Sequence, residues 1–285
     1  MSFLTIQLFN GLSYGLLLFI VASGLTLMFG LMRIVNLAHG SYYLLAGYIG
    51  YSVAQATGSF MLAAVSGIVA IGLIGLVMER TLFRMLHNQE LEQVLLSFGL
   101  IYIFQDIFHW IWGGQVYSIA KPSLLSESLV VSGMFFPSYR LALLILGLVV
   151  AFGLWFLQEK TLVGAIIRAG VDDREMLSGM GINVNRYFTL VFTLGAALAG
   201  LGGVMGAPFV SIYPGIDMEL LILALVIIVI GGLGSLTGAL ISSILIGLAD
   251  AFGKAFIPQF AMFSIYALMA LVLVFRPWGL LGRKE

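Results

Sequence analysis

Residues 32–43 read MRIVNLAHGSYY, and they interrupt sequence that is otherwise apolar. A run over about 5–31 leads up to them, and another over about 34–54 carries through them. What Arg33, Asn36 and His39 do so close together, with Gly40 directly after, depends on the solvent around the chain. The 285 residues are 61% hydrophobic and 9% charged, with a mean hydropathy of +1.11. Soluble domains carry roughly 25% charged residues, so this chain lacks the polar shell that a soluble fold of its length requires. Its apolar runs approach the ~20 residues of a bilayer crossing. They do not alternate as the strands of a transmembrane barrel would. The sequence therefore predicts an all-α, polytopic integral membrane protein forming one membrane domain over 1–285.

The runs fall near 5–31, 34–54, 60–78, 93–113, 139–157, 187–206, 219–233, 236–252 and 260–275. Two adjoining pairs meet at breaks containing glycine, near Gly30 and near Gly231 to Gly234, so eight or nine spans are expected, including two glycine-broken helices. Basic residues collect in three connections: Arg80 and Arg84; Lys160, Arg168, Arg174 and Arg186; and Arg276, Arg283 and Lys284. By the positive-inside rule these face the cytoplasm. The Gly114–Ser138 connection, with only Lys121, faces outward, as does the N-terminus. MSFLTIQLFN has no basic n-region and no small-residue cleavage site, so it is expected to begin a retained span. Zero formal net charge gives no bias toward nucleic acid, and the absence of cysteine excludes disulfides and thiolate metal sites.

In a bilayer, polar residues such as those of MRIVNLAHG are expensive and face a bundle interior or a water-filled path. Asn36 and His39, three apart, are expected to share a helix face. One account is a discontinuous helix in which both side chains satisfy backbone groups freed at the break. The other is a helix end at the interface, with Arg33 reaching the head groups. His39, His87 and His109 have no nearby carboxylate or thiolate with which to make a zinc site. A second break, IGGLGSLTGALISS at Ile230 to Ser243, repeats the architecture: Gly231, Gly232 and Gly234 interrupt the run, and Ser235 or Thr237 caps the helix that restarts. No lysine follows as a phosphate loop would need. Paired broken helices in two halves of a chain point to a translocation path. A third segment, about 158–187, is polar. In it Arg168, Asp172, Asp173, Arg174 and Glu175 cluster, while Met176, Leu177 and Met180 give an apolar side. A short amphipathic helix over Ala165 to Leu177, ended by Gly179 or Gly181, is expected to dock on a partner protein. The competing reading is an interfacial helix on lipid, against which the acidic residues count.

Five stretches together resemble one family, in its order and over nearly the whole chain. They are GLTLMFGLMRIVNLAHGSYYLLAGY (Gly24 to Tyr48), ERTLFR (Glu79 to Arg84), IRAGVDDREMLSGMGINV (Ile167 to Val184), GGLGSLTGAL (Gly231 to Leu240) and FRPWGLLGR (Phe275 to Arg283). The chain resembles the membrane-spanning permease subunit of bacterial branched-chain amino acid ABC importers. The resemblance implies several things. Asn36, His39, Gly40, Gly231, Gly232, Gly234 and Ser235 would line a translocation path. Arg168, Asp172, Asp173, Arg174, Glu175 and Gly181 would couple to a separate ATPase. The partners would be two cytoplasmic ATPase subunits, a second and related permease, and a periplasmic solute-binding protein received by the outer loops 114–138 and 208–217. The membrane would be the bacterial inner membrane. No cofactor, metal or catalytic residue is expected in this chain. Leu223 stands where family members often carry lysine, so permeases for urea or short amides remain an alternative. So does an ion-coupled secondary transporter using Asp106, Glu219 or Asp250, residues that otherwise sit at span ends. A structural scaffold would leave the two breaks and the charged loop unexplained.

Overall fold

A computed structural model describes residues 2–32, 34–86, 89–131 and 134–282. Arg33, His87, Arg283 and Lys284 lie outside the described residues, and so do the side chains of Asp172 and Arg174. Each of the nine apolar runs is a helix: α1 (Ser2–Met32), α2 (His39–Thr57), α3 (Phe60–Thr81), α4 (Glu90–Trp112), α5 (Ser138–Lys160), α8 (Val184–Gly206), α9 (Ile216–Gly231), α10 (Leu236–Phe256) and α11 (Ala261–Phe275). Two short helices, α6 (Leu162–Asp172) and α7 (Arg174–Gly179), come between α5 and α8. Among the described residues seven helices are long and apolar enough to cross a membrane; α2 and α9 fall outside that set and complete the two breaks. The protein is an all-α polytopic membrane protein. Among the described residues its one sheet is the hairpin of β1 (Ser128–Val131) and β2 (Met134–Pro137), antiparallel with Leu129 opposite Phe136.

Burial is arranged for a lipid solvent. The most apolar part of α1 is 83% buried and that of α8 67%, against 17% for α5 and for the last span. Outer helices accordingly present large apolar side chains outward, such as Leu73 and Val77 on α3 and Phe152 on α5. Lipid gives no hydrophobic drive for such helices to associate, so contact relies on small residues and close backbones. Along the α1–α10 seam a Cβ added at Gly11 would lie 2.9 Å from the Gly247 carbonyl oxygen.

The ends of the bundle differ. The start of α1 lies beside the start of α5, where Arg140 donates to Asn10 and Phe9 meets Phe136 edge-on at 5.0 Å. α5 then runs to α6 and α7 at the far end. There Arg80, Arg84 and Arg186 line one cavity of about 930 Å³. Basic connections from different parts of the sequence thus converge on one end, as the loop charges predict.

Candidate functional site

The described part of the first break is 34–38, and at it the chain folds back along α1. The Ile34 amide donates to the Met28 carbonyl at 3.2 Å, and Asn36 Nδ2 approaches Met28 Sδ at 3.8 Å. Backbone groups freed by the break need partners in a region without water. Asn36 Oδ1 accepts from the Ala38 amide at 3.1 Å. Gln93, buried in the first turn of α4, accepts from the Val35 amide at 3.1 Å and donates to the Leu86 carbonyl at 2.9 Å. His39 has another job. It opens α2, and its Nε2 donates to the Val21 carbonyl within α1 at 2.9 Å. Two expectations are therefore corrected. Asn36 precedes α2 and does not share a helical face with His39, and the second side chain serving the break is Gln93 rather than His39. The reason is that residues 34–36 are in no helix and the chain turns at 37–38 before α2 starts at His39, so the period of 3.6 is absent just where the spacing argument needed it.

Gly40 packs against the Asp217 carbonyl at the start of α9. Next to it the Ser41 hydroxyl donates to Asp217 Oδ2 at 3.2 Å, and Asp217 Oδ1 accepts from the Gly215 amide at 3.2 Å. Asp217 is 1% exposed. This buried carboxylate sits at the amino ends of both α2 and α9, where two helix dipoles present positive potential. No periodic cue marks this junction, because its halves lie 176 residues apart.

The second break is a reversal between antiparallel helices. Gly231 ends α9; Gly232 (φ 97°, ψ 132°) and Gly234 (φ 78°) carry the turn; and Ser235 Oγ caps α10 by accepting from the Gly238 amide at 3.0 Å. Farther along, Ser242 Oγ donates to the Ile227 carbonyl at 2.7 Å, tying the two helices together. The α9 carbonyls left open are met by the C-terminal tail: Leu280 donates to Ile230 at 2.8 Å and Leu281 to Gly231 at 3.0 Å. Gly30 and Gly234 pack backbone to backbone, so the two breaks touch.

The polar arm is two helices rather than one over Ala165 to Leu177. Asp173 leaves helical geometry (φ −148°, ψ 98°), and its Oδ1 caps α7 by accepting from the Met176 amide at 2.9 Å. Aspartate favours a cap over a helix interior because its short side chain competes for local amides. Gly181 (φ 80°) closes the arm, with the Ile182 amide donating to the Leu177 carbonyl at 3.2 Å. Ile167 and Leu177 are buried, whereas Glu175, Met176 and Met180 are exposed. Arg168 is turned back on the corner, donating to the Gln158 carbonyl and pairing with Glu159 at 3.7 Å. It stabilises the α5–α6 turn.

Beside the arm, Glu79 is buried in α3. Its Oε2 accepts from Thr189 Oγ1 at 2.7 Å and from Arg84 at 3.2 Å. This network locks α3 to α8 and was visible in sequence only as part of a motif. Replacing Thr189 with valine is expected to cost about 2 kcal/mol, the worth of one hydrogen bond to a charged acceptor that Arg84 still contacts, checked by thermal denaturation in detergent.

A second cavity, of about 500 Å³, lies between α1, α5, α9 and α10 and holds Arg140, Glu219, Asp250 and Lys254. Tyr213, in the loop before α9, donates to both Glu219 oxygens at 3.2 Å. Burial first, and the Glu219 charge second, raise the Tyr213 phenol pKa, so it stays a donor. Sequence reasoning flagged Glu219 and Asp250 but missed Arg140; the available signal was a lone arginine in the first turn of a span, at the end poor in positive charge. None of the expected path residues lines either cavity. Among the described residues no group of three or more His, Asp or Glu is placed to hold a metal.

The profile of the family described as branched-chain amino acid transport system / permease component matches residues 7–274. The chain is 31% identical to the high-affinity branched-chain amino acid transport system permease protein BraD of Pseudomonas aeruginosa, over 98% of this chain and 96% of that protein. It is 29% identical to LivH of Escherichia coli K12, a permease protein of the same description, with the same coverage. It is 27% identical to a probable branched-chain amino acid transport permease protein LivH of Methanocaldococcus jannaschii, over 94% and 90%. Among solved structures, PsaBC from Streptococcus pneumoniae in complex with Fab matches with a TM-score of 0.50 and 14% identity, over 93% of this chain and 89% of that one. That likeness concerns the fold alone.

Proposed function

We propose, because this chain belongs to the branched-chain amino acid transport system permease family, that it is the membrane-spanning subunit of an ATP-binding-cassette importer. It moves branched-chain or related amino acids, delivered by a binding protein, into the cytoplasm. The observation that carries the reading is the family match over residues 7–274. In this reading the protein lies in the bacterial inner membrane and pairs with a second, related permease. Two separate ATPase subunits hydrolyse ATP, and this chain supplies no catalytic group.

The geometry supports a division of labour. α6 and α7 offer an exposed edge with Glu175, Met176 and Met180 at the basic end of the bundle, which suits docking of an ATPase. The junction of Gly40, Ser41 and Asp217 and the touching turns at Gly30 and Gly234 join the two halves of the chain at the helix breaks. Rocking of one half on the other at these joints would open a path by alternating access. Of the proposed path residues, Asn36, His39, Gly40, Gly231 and Gly232 are buried in the single chain, which suits a gate between two permeases.

Reconstitution tests this directly. The chain with its genomic partner permease, ATPases and binding protein should import labelled leucine, isoleucine or valine only with ATP inside the reach of the ATPases. Import of urea or acetamide in preference would move the chain to the amide branch. Uptake by the chain alone, driven by a proton gradient, would replace the proposal with an ion-coupled transporter.

A further inference from the structure

We propose that the cavity between α1, α5, α9 and α10 is a solute site that recognises the zwitterionic backbone of an aliphatic amino acid; this rests on the transport reading above. The cavity measures about 500 Å³, within the ~300–1,000 Å³ of small-molecule sites. It lies at the end of the bundle where α1 and α5 begin, opposite the α6–α7 arm, and therefore on the side from which an imported solute arrives.

Its charges are disposed in an unusual way. Asp250 and Lys254 neutralise each other at 2.7 Å. Arg140 and Glu219 do not have such partners. Arg140 donates to the neutral Asn10 amide and lies over the Phe209 ring at 4.9 Å, with no carboxylate in ion-pair range among the described residues. Glu219 accepts only from the neutral Tyr213 hydroxyl, again with no cation in range among the described residues. One cavity thus holds one uncompensated guanidinium and one uncompensated carboxylate.

A ligand that satisfies both must carry an anion and a cation and be neutral overall. The α-carboxylate fits the planar fork of Arg140, and the α-ammonium fits Glu219, which Tyr213 orients. Ile216, Leu220 and Leu223 give one aliphatic stretch of the wall, which takes an apolar side chain. Urea or an amide would leave both charges unpaired, and a simple ion would leave one. Arg140 is half-buried and Glu219 exposed, so the wrong ligand leaves chiefly a partly desolvated guanidinium without a partner.

The test is equilibrium binding of radiolabelled leucine to the purified complex in detergent, without binding protein, competed by leucine, leucinamide and 4-methylpentanoate. Leucinamide lacks the carboxylate and 4-methylpentanoate lacks the ammonium. Leucine should compete at least about tenfold better than either analogue. Glu219→Gln should weaken leucine binding and erase the discrimination against 4-methylpentanoate alone. Arg140→Gln should erase the discrimination against leucinamide alone. Should either variant fail to fold, Tyr213→Phe, which removes one hydroxyl, should still weaken leucine binding severalfold. Equal competition by all three compounds in the wild type, or variants that keep both discriminations, would overturn the site. ATP-driven uptake separates the two readings. If the wild-type complex imports leucine but the analogues compete equally, the cavity assignment falls and the transport reading stands. If it imports no branched-chain amino acid, the transport reading falls and takes the cavity assignment with it.

Discussion

Replacing Gly232 with leucine is expected to abolish folded, transport-competent protein. Gly232 holds φ 97° and ψ 132°, a conformation that a side chain strains, at a cost of about 1–3 kcal/mol. A Cβ there would also lie 2.6 Å from Gly282 Cα and 3.1 Å from the Leu281 carbonyl carbon. Backbone cannot give way as the end of a flexible side chain can, so the tail must move. Moving it breaks the bonds from Leu280 to Ile230 and from Leu281 to Gly231. Each carbonyl left unpaired away from water costs about 1–3 kcal/mol. The sum is several kcal/mol against a typical total stability of about 5–15 kcal/mol. Detergent-solubilised variant should melt more than about 10 °C lower or aggregate on purification, with uptake lost in either case. Wild-type melting and uptake would show that the tail does not seal the α9 terminus.

How this glycine works illustrates what the sequence could and could not disclose. Hydropathy alone placed the nine helices, because a bilayer demands long apolar segments with all backbone bonds made internally. It also located both breaks, the second at its glycines, whereas the first falls after Gly30, which stays inside α1, on 34–38, where no residue is glycine. It could not say that the second break closes against residues 280–281, because a contact across about fifty positions leaves no local pattern. The same holds for Gln93, which serves the first break from α4, and for Asp217, which joins the two halves through Ser41.

The arm is helical, as its pattern predicts, but differs in shape. Its apolar spacing predicted one helix, but Asp173 stops the first helix and caps the next. An aspartate pair in mid-segment was the available cue, and the amphipathic pattern overrode it. Arg168 looked like a docking residue because it is charged. In the fold a nearby chain corner at Gln158 and Glu159 takes its guanidinium first. Charge clusters in sequence therefore mix groups that hold the arm together with groups that face outward, and only burial separates them.

That separation yields the sharpest test of coupling: Met176→Glu combined with Met180→Glu should detach the ATPase subunits while leaving the permease folded. The arm is anchored by other residues. Ile167 is 1% and Leu177 7% exposed, and Gly170 packs close to Leu177 and Val184. Met176 and Met180 are 65% and 66% exposed, with large apolar surface directed away from the bundle. Changes at such exposed positions alter stability by only about ±0.5 kcal/mol, so the melting midpoint should hardly move. At a protein interface the outcome differs, because a carboxylate buried against apolar surface without a partner costs several kcal/mol. Two of them should weaken ATPase association by more than about 100-fold, or about 2.8 kcal/mol at ~1.4 kcal/mol per tenfold. Affinity pull-down of the tagged permease should then lose the ATPases, and uptake should cease. Asp173→Ala provides the graded counterpart. It removes a helix cap worth about 1 kcal/mol, which loosens α7 without adding charge, so the ATPases should remain bound while uptake per ATP hydrolysed declines. Retention of the ATPases and normal uptake by the double glutamate variant would exclude α7 from the coupling surface, whatever the behaviour of Asp173.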